Sequence, residues 1–357
     1  MPRILILKFG AIGDVIMAIP AAHQLHLQGQ QIDWVCGPAV HPVLALYPWI
    51  NPILIDERTL LTGSAAARLA VVVKLWRTLA GRTYSLVATL YYDPRYRILT
   101  LPIYARRRLM LSNTDRNFRL LPGRHHTDEF ARILLGWPDQ VRPQPLAPVP
   151  VPRESLPPAP LPRGSRPRVI LAPAGARNLL ADDVLRRWQP ENYVSLATLL
   201  LQQGIEVVLI GGPGDAWVQP HFAALPLIDL ISQLALPQTL ALLDQADLLV
   251  THDTGPLHLA GITRVSIVSI FGPTDPHGRL PQRSGAVALW GGEGFACRPC
   301  YDGHSFAPCP SNDCMAQITP QRVLAEILTL LKDHAQPKPG HAVNASPAAG
   351  PSGRTIL

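Results

Sequence analysis

Apolar and β-branched residues fill the run from Arg3 to Phe9, which stops at Gly10, and from Asp14 to Leu27 the apolar positions recur at helical spacing. The chain therefore opens with a strand, a glycine turn and a helix. Short apolar runs return at Ile32–Cys36, Pro52–Ile55, Ser85–Tyr91 and Arg108–Leu111, with helical stretches between them. Such alternation predicts a mostly parallel sheet covered on both faces. A second series follows at Arg168–Ala172, Glu206–Ile210, Leu227–Leu230, Asp247–Thr251 and Ser266–Phe271. The pattern predicts two doubly wound α/β domains facing a cleft, and open sheets of this kind bind ligands beyond the C-terminal ends of their strands.

Between the two series, residues 138–167 hold eleven prolines, a density that excludes helix and sheet interiors and reads as an extended, semi-rigid linker. The expected division is a first domain at 1–137, this linker, a second domain at 168–334 with a cysteine-rich loop at 297–314, and a disordered tail at 335–357, rich in Pro, Ala, Gly and Ser. With 357 residues, 47% of them hydrophobic, there is material for two cores. The 32 Lys and Arg against 25 Asp and Glu leave a net +7, which points to an anionic partner: nucleic acid, an anionic membrane surface or phosphorylated small molecules. Lys8 interrupts the first apolar run, and Arg68 and Lys74 interrupt the longer ones, so neither a signal peptide nor a spanning helix is expected and the protein reads as cytoplasmic.

The first turn, Lys8-Phe9-Gly10-Ala11-Ile12-Gly13-Asp14, lacks the Gly-x-Gly-x-x-Gly of dinucleotide sites. Asp14 reads either as a helix cap or as a carboxylate projected into the cleft, where it can take a proton from a hydroxyl nucleophile. In the second domain, Asp253-Thr254-Gly255-Pro256-Leu257-His258 turns from strand into helix. The backbone N–H groups of Thr254 and Gly255 and the Thr254 hydroxyl suit a diphosphate, while Asp253 reads as fixing the loop. His258 reads as a packed structural histidine or as a donor contact. Gly212 and Asp215 follow the second strand of this domain and Gly175 follows its first, giving two further cleft edges, with Asp215 placed to accept from ribose hydroxyls. Arg186 and Arg187 read as phosphate-pairing or solvated groups. In the first domain, Arg95 and Arg97 among Tyr91, Tyr92 and Tyr96, together with Lys8, form the basic and aromatic set expected for an acceptor, and Arg106–Arg108 add charge nearby.

Cys297, Cys300, Cys309 and Cys314 crowd into eighteen residues. Four thiolates at this spacing suit a closed structural zinc site, and free or redox-sensitive thiols are the alternative. The basic residues are scattered and no base-stacking motif accompanies them, so nucleic acid is not an expected partner.

Taken in order, these motifs resemble glycosyltransferase family 9, the lipopolysaccharide heptosyltransferases. The resemblance runs from Arg3 to about Leu331 through Gly13-Asp14, the Ala174-Gly175 turn, Arg186-Arg187-Trp188, Gly211-Gly212-Pro213-Gly214-Asp215, Asp253 to Ala260 and the late cysteines ending Cys314-Met315. It implies a two-Rossmann (GT-B) fold with an acceptor domain first and a nucleotide-sugar domain second. It also implies inverting transfer of a sugar, usually heptose from ADP-heptose, to a lipopolysaccharide-core-like glycolipid or glycan, with no cofactor needed for catalysis. Asp14 matches the general base, and Thr254 and Gly255 match the diphosphate turn. Arg186 stands where the family usually has a lysine, Asp215 where it usually has glutamate, Gln189 where a proline follows the tryptophan, and Ala174 interrupts the usual Pro-Gly pair. A nucleotide-sugar epimerase of the same architecture is the competing enzyme class, and contact with the inner face of the cytoplasmic membrane fits the charge.

Overall fold

The computed structural model describes residues 2–177, 182–302 and 305–335, so the expected tail lies outside the described residues apart from Ala335. Strands β1 (Arg3–Leu7), β2 (Gln31–Cys36), β3 (Ile50–Leu54), β4 (Thr83–Thr89) and β5 (Tyr104–Met110) form one sheet of order β3-β2-β1-β4-β5. Strands β6 (Arg168–Leu171), β7 (Glu206–Leu209), β8 (Ile228–Asp229), β9 (Leu248–His252), β10 (Ser266–Phe271) and β11 (Ala286–Trp290) form a second, of order β11-β10-β9-β6-β7-β8. Read from its own first strand, the second sheet repeats the order of the first and adds one strand. All pairings are parallel. The two doubly wound domains of a GT-B fold are thus present. The strand order reverses beside β1 and beside β6, which puts a crevice at the C-terminal end of each sheet.

The central strands are where the apolar runs lie, because helices cover both of their faces and Ile4 to Leu7 and Val169 to Leu171 are all buried. Two strands depart from expectation. β5 starts at Tyr104 instead of Arg108, since Arg106 and Arg107, expected only to add charge near the acceptor set, sit on an edge strand where charged side chains reach water. β11 has no counterpart among the predicted strands, being five residues between glycine-bearing loops at the opposite sheet edge.

Helix Ile12–Leu27 follows β1 and packs against helix His126–Leu135 on one side and helix Gly255–Gly261 of the second domain on the other. One apolar core therefore continues from domain to domain, from Val15, Ile16 and Ile19 to Leu257 and Ala260. The contact is close enough to need glycine: a Cβ on Gly13 would lie 2.5 Å from Cδ2 of His258. In helix His126–Leu135, Glu129 and Arg132 pair at 2.8 Å with both side chains fully buried. They also bond the preceding loop, Glu129 accepting from Leu121 N and Arg132 donating to the carbonyls of Asn117 and Arg119. A buried pair is tolerable only with its remaining valences satisfied, and here they fix the loop beside the cleft.

Residues 138–167 run extended apart from a short 3-10 turn at Arg153–Ser155. They are bonded to both domains. Tyr47 donates to the Val149 carbonyl at 2.7 Å from the first, while Val151 N donates to Ile262 O at 3.0 Å in the second. Asp128 Oδ1 accepts from both Leu146 N and Gln282 Nε2, at 2.9 Å each, tying linker, first domain and second domain at one atom. Asp128→Ala leaves a part-buried N–H without its acceptor and should lower unfolding stability by about 1–3 kcal/mol. Urea unfolding followed by far-UV circular dichroism checks this; a variant as stable as the parent means the linker is seated by other contacts.

Candidate functional site

A cavity of about 520 Å3 opens between the two domains. Lys8, Asp14, Glu57, Tyr91 and Tyr96 line it from the first domain; Arg177, Arg186, Asp253, Thr254, His258 and Arg279 line it from the second.

Asp14 is not a cap. The N-cap of its helix is Ala11, in extended conformation and without a side-chain bond, and Asp14 stands in the first turn with its carboxylate 2.9 Å from Lys8 Nζ. Lys8 in turn is fixed by its backbone. Its N–H donates to Val35 O, its carbonyl accepts from Trp34 Nε1, and its ammonium lies 4.5 Å from the Tyr91 ring centroid. The Tyr91 hydroxyl accepts from Phe9 N at 2.8 Å, locking the turn that carries both charges. Burial pushes the Asp14 carboxyl upward, but the charge and hydrogen bond of Lys8, helped by His126 and Arg279, outweigh it and hold the group well below its ordinary range. Lys8, expected on the acceptor side, is thus committed to Asp14.

On the facing wall, Asp253 is buried at the end of β9, with Arg186 Nη1 and Arg279 Nε each 3.7 Å from its Oδ2. Burial raises its pKa, and the two guanidinium groups more than compensate, keeping it low and ionised. Arg186 also pairs with Asp183 at 3.3 Å and lies against the rings of Tyr301 and Phe306. Asp253, read from the sequence as fixing its loop, sets the direction of two cations, and both face the cavity. Thr254 caps the following helix, and its Oγ1 accepts from Ala176 N at 2.8 Å. That bond requires Gly175, at φ +93, where a Cβ would fall 2.6 Å from the same oxygen. His258 is buried and its pKa pushed down to about 4, chiefly by burial, so it is a neutral imidazole packed on Gly13 at the cavity wall.

Other predicted residues stand elsewhere. Asp215 accepts from Gly175 N at 3.0 Å and from Gly212 N at 2.8 Å, so it bolts two glycine loops together behind the lining instead of standing free for a ribose. Arg95 pairs with Asp93 on the surface, and Arg97 is exposed; neither lines the cavity. The four late cysteines do gather, around a hollow of about 240 Å3. Among the described residues, however, no three His, Cys, Asp or Glu groups converge closely enough to hold a metal ion, so the closed zinc site expected from spacing is not formed. Asn312 engages two of the sulfurs, donating from its N–H to Cys309 Sγ and accepting from Cys314 Sγ.

Sequence reasoning missed three residues. Arg279 follows β10 in the turn Gly272-Pro273-Thr274-Asp275-Pro276, and a glycine and proline turn after a buried parallel strand is the signal that pointed there. Glu57 follows β3 and rests its carboxylate over Gly10 and Gly37; a Cβ on Gly37 would come within 2.3 Å of it. His126, in the field of Asp14 and Arg279, is pushed to about 3, first by burial and then by Arg279.

Residues 144–307 match the model of glycosyltransferase family 9 (heptosyltransferase). Among curated relatives, lipooligosaccharide heptosyltransferase 2 of Campylobacter jejuni is 33% identical over 87 residues, 24% of this chain and 26% of the relative. The matched stretch thus spans about a quarter of that protein's length. The core heptosyltransferase OpsX of Haemophilus influenzae is 20% identical over 76% of this chain and 79% of its own. Among solved structures, a family 9 glycosyltransferase from Veillonella parvula superposes with TM-score 0.71 at 20% identity, covering 93% of this chain and 97% of that one. Escherichia coli heptosyltransferase WaaC, solved with ADP, gives 0.68 at 18% identity, covering 92% and 99%. The match over residues 144–307 is to glycosyltransferase family 9, and the resemblance carried by the motifs is borne out.

Replacing Lys8 by methionine removes the main charge and hydrogen bond that offset the desolvation of Asp14, so its carboxyl should titrate higher than in the parent. In the parent, the lowered value contributes stability above the unfolded-state pKa, lost as pH falls through the folded-state value. In Lys8→Met that contribution shrinks, because the folded-state value moves back toward the unfolded one. Carboxyl-carbon NMR titration of Asp14 reads this directly, and an unchanged low value in the variant would remove Lys8 as the cause.

Proposed function

We propose that this protein is an inverting glycosyltransferase that moves a sugar, heptose from an ADP-linked donor, to a hydroxyl of a lipopolysaccharide-core-type glycolipid at the cytoplasmic face of the membrane. The observation that carries this reading is the ionised Asp14 carboxylate opposite Arg186 and Arg279 across one interdomain cavity.

The acceptor hydroxyl approaches from the first domain. Asp14 accepts its proton as the oxygen attacks the anomeric carbon, and the bond from that carbon to the diphosphate oxygen breaks on the opposite side, inverting the configuration. A carboxylate held low is a modest base, suited to a proton that becomes acidic only as the new bond forms. Lys8 keeps it ionised and aimed. The negative charge that develops on the leaving diphosphate faces Arg186 and Arg279, and two guanidinium groups with the Thr254 turn supply the electrostatic role for which other transferases use a metal ion. Asp253 holds the two cations apart and oriented before any substrate arrives, so little reorganisation is needed. Asp215 acts at one remove, by fixing the Gly175 and Gly212 loops that shape the donor side.

Asp14→Asn keeps shape and removes the base, and should lower transfer from ADP-heptose by about 10²-fold or more while donor affinity changes little. Arg279→Ala should weaken donor binding and turnover together. Calorimetric titration with ADP-heptose and product analysis with and without a core oligosaccharide acceptor check both. Near-parent turnover in Asp14→Asn excludes its role as base, and an altered sugar released without acceptor assigns the protein to the epimerases.

A further inference from the structure

Helix Ala65–Leu79 is the most apolar surface element of the first domain, yet only Val72, Leu75 and Leu79 of it are buried. Its outward stripe, Ala66, Leu69, Ala70 and Val73, recurs at the spacing of a second apolar face, with Leu69 58% exposed. Surface helices ordinarily turn charged residues outward at these positions. Here every charged residue of the helix is a cation: Arg77 ends the stripe, Lys74 lies at its margin, and Arg68 lies on the other side, donating to the Leu61 carbonyl. No Asp or Glu occurs between Glu57 and Asp93.

The neighbouring 3-10 segment Pro94–Thr100 extends the same surface. Trp76 Nε1 donates to Ile98 O at 3.0 Å and joins the two, and Ile98 and Leu101 stand 48% and 70% exposed beside Arg97. Between helix and segment runs a groove of about 410 Å3, walled by Leu60, Leu61, Leu69, Val72 and Ile98, with the paired Asp93 and Arg95 also lining it. Leu61 and Tyr96 also line the interdomain cavity, so the apolar surface leads by a shared wall to the chamber that holds Asp14.

We propose that the outward face of helix Ala65–Leu79, with Ile98 and Leu101, docks this protein on an anionic lipid bilayer. The groove behind it guides the head of a membrane-held acceptor to Asp14. An apolar stripe on a helix whose charged residues are all cations matches a surface that is apolar inside and anionic outside. The guiding role rests on the transfer reaction proposed above, whereas the bilayer contact is read without donor or acceptor.

Full-length protein is sedimented with vesicles of phosphatidylcholine and with vesicles that also contain phosphatidylglycerol. The parent should co-sediment with the anionic vesicles only, less at higher salt. Lys74→Ala with Arg77→Ala should weaken partition about 25-fold, about five-fold for each cation. Leu69→Asp should abolish it at a salt concentration where the parent binds. All side chains involved are exposed, so melting temperatures should match the parent. Absence of binding to anionic vesicles overturns the proposal, as does Leu69→Asp binding like the parent, which reduces the contact to non-specific adsorption. Vesicle binding that persists while Asp14→Asn transfers sugar normally upholds the docking face and removes only the catalytic reading.

Discussion

The cleft exists because Gly13 has no side chain. At this residue the first helix of one domain meets the first turn of a helix in the other, with no room for a Cβ before His258. The next residue along is Asp14. The chain therefore spends its closest interdomain contact immediately beside the carboxylate that must face the opposite sheet, and the apolar core continuing through this junction makes the facing arrangement a packed one. Parallel sheets explain the rest: both end their central strands at the same crevice, so Lys8 and Asp14 after β1, and Asp253 and Thr254 after β9, come together although some 240 residues separate them in sequence.

Charge is distributed with unexpected economy. Four cations line the cavity (Lys8, Arg177, Arg186, Arg279) and four carboxylates (Asp14, Glu57, Asp183, Asp253), so the lining is formally neutral, 4 − 4 = 0. The net +7 of the chain lies elsewhere, including the carboxylate-free stretch around helix Ala65–Leu79. Inside the cavity the separation of charge matters more than its sum. Each acid holds a cation in place, Asp14 for Lys8 and Asp253 for Arg186 and Arg279, and a buried group so paired keeps its ionisation over a wide pH range.

Much of this was legible in the sequence. The buried strands read correctly because parallel strands covered on both faces must be continuous apolar runs, and the strand-to-helix turns at Asp14 and Asp253 followed from where those runs stopped. The edge strands β5 and β11 did not, since an edge has one open side and tolerates arginines or glycines that break the pattern. Arg279, Glu57 and His126 each enter the site from a turn after a different strand or from a helix start, and such convergence is a property of topology, invisible to spacing. Asp215 was read as an acceptor from ribose hydroxyls, and in the structure its oxygens accept from the N–H groups of Gly175 and Gly212. The sequence marks a carboxylate beside glycines without telling whether a ligand or those glycines' own N–H groups will claim it. The cysteines show the same limit: their spacing brought them to one hollow, but Asn312 engages two of the sulfurs, those of Cys309 and Cys314.

The linker carries a kinematic consequence. Val149 is bonded to the first domain and Val151 to the second, so only Pro150 stands between the anchored residues, which are two steps apart along the chain. Two residues span about 7 Å at full stretch. At that point the domains have almost no freedom to part, and whatever widening lets a bulky sugar nucleotide in must be a rotation about this tether. Displacement then grows with distance from it, like a door whose travel is greatest at the edge away from the hinge.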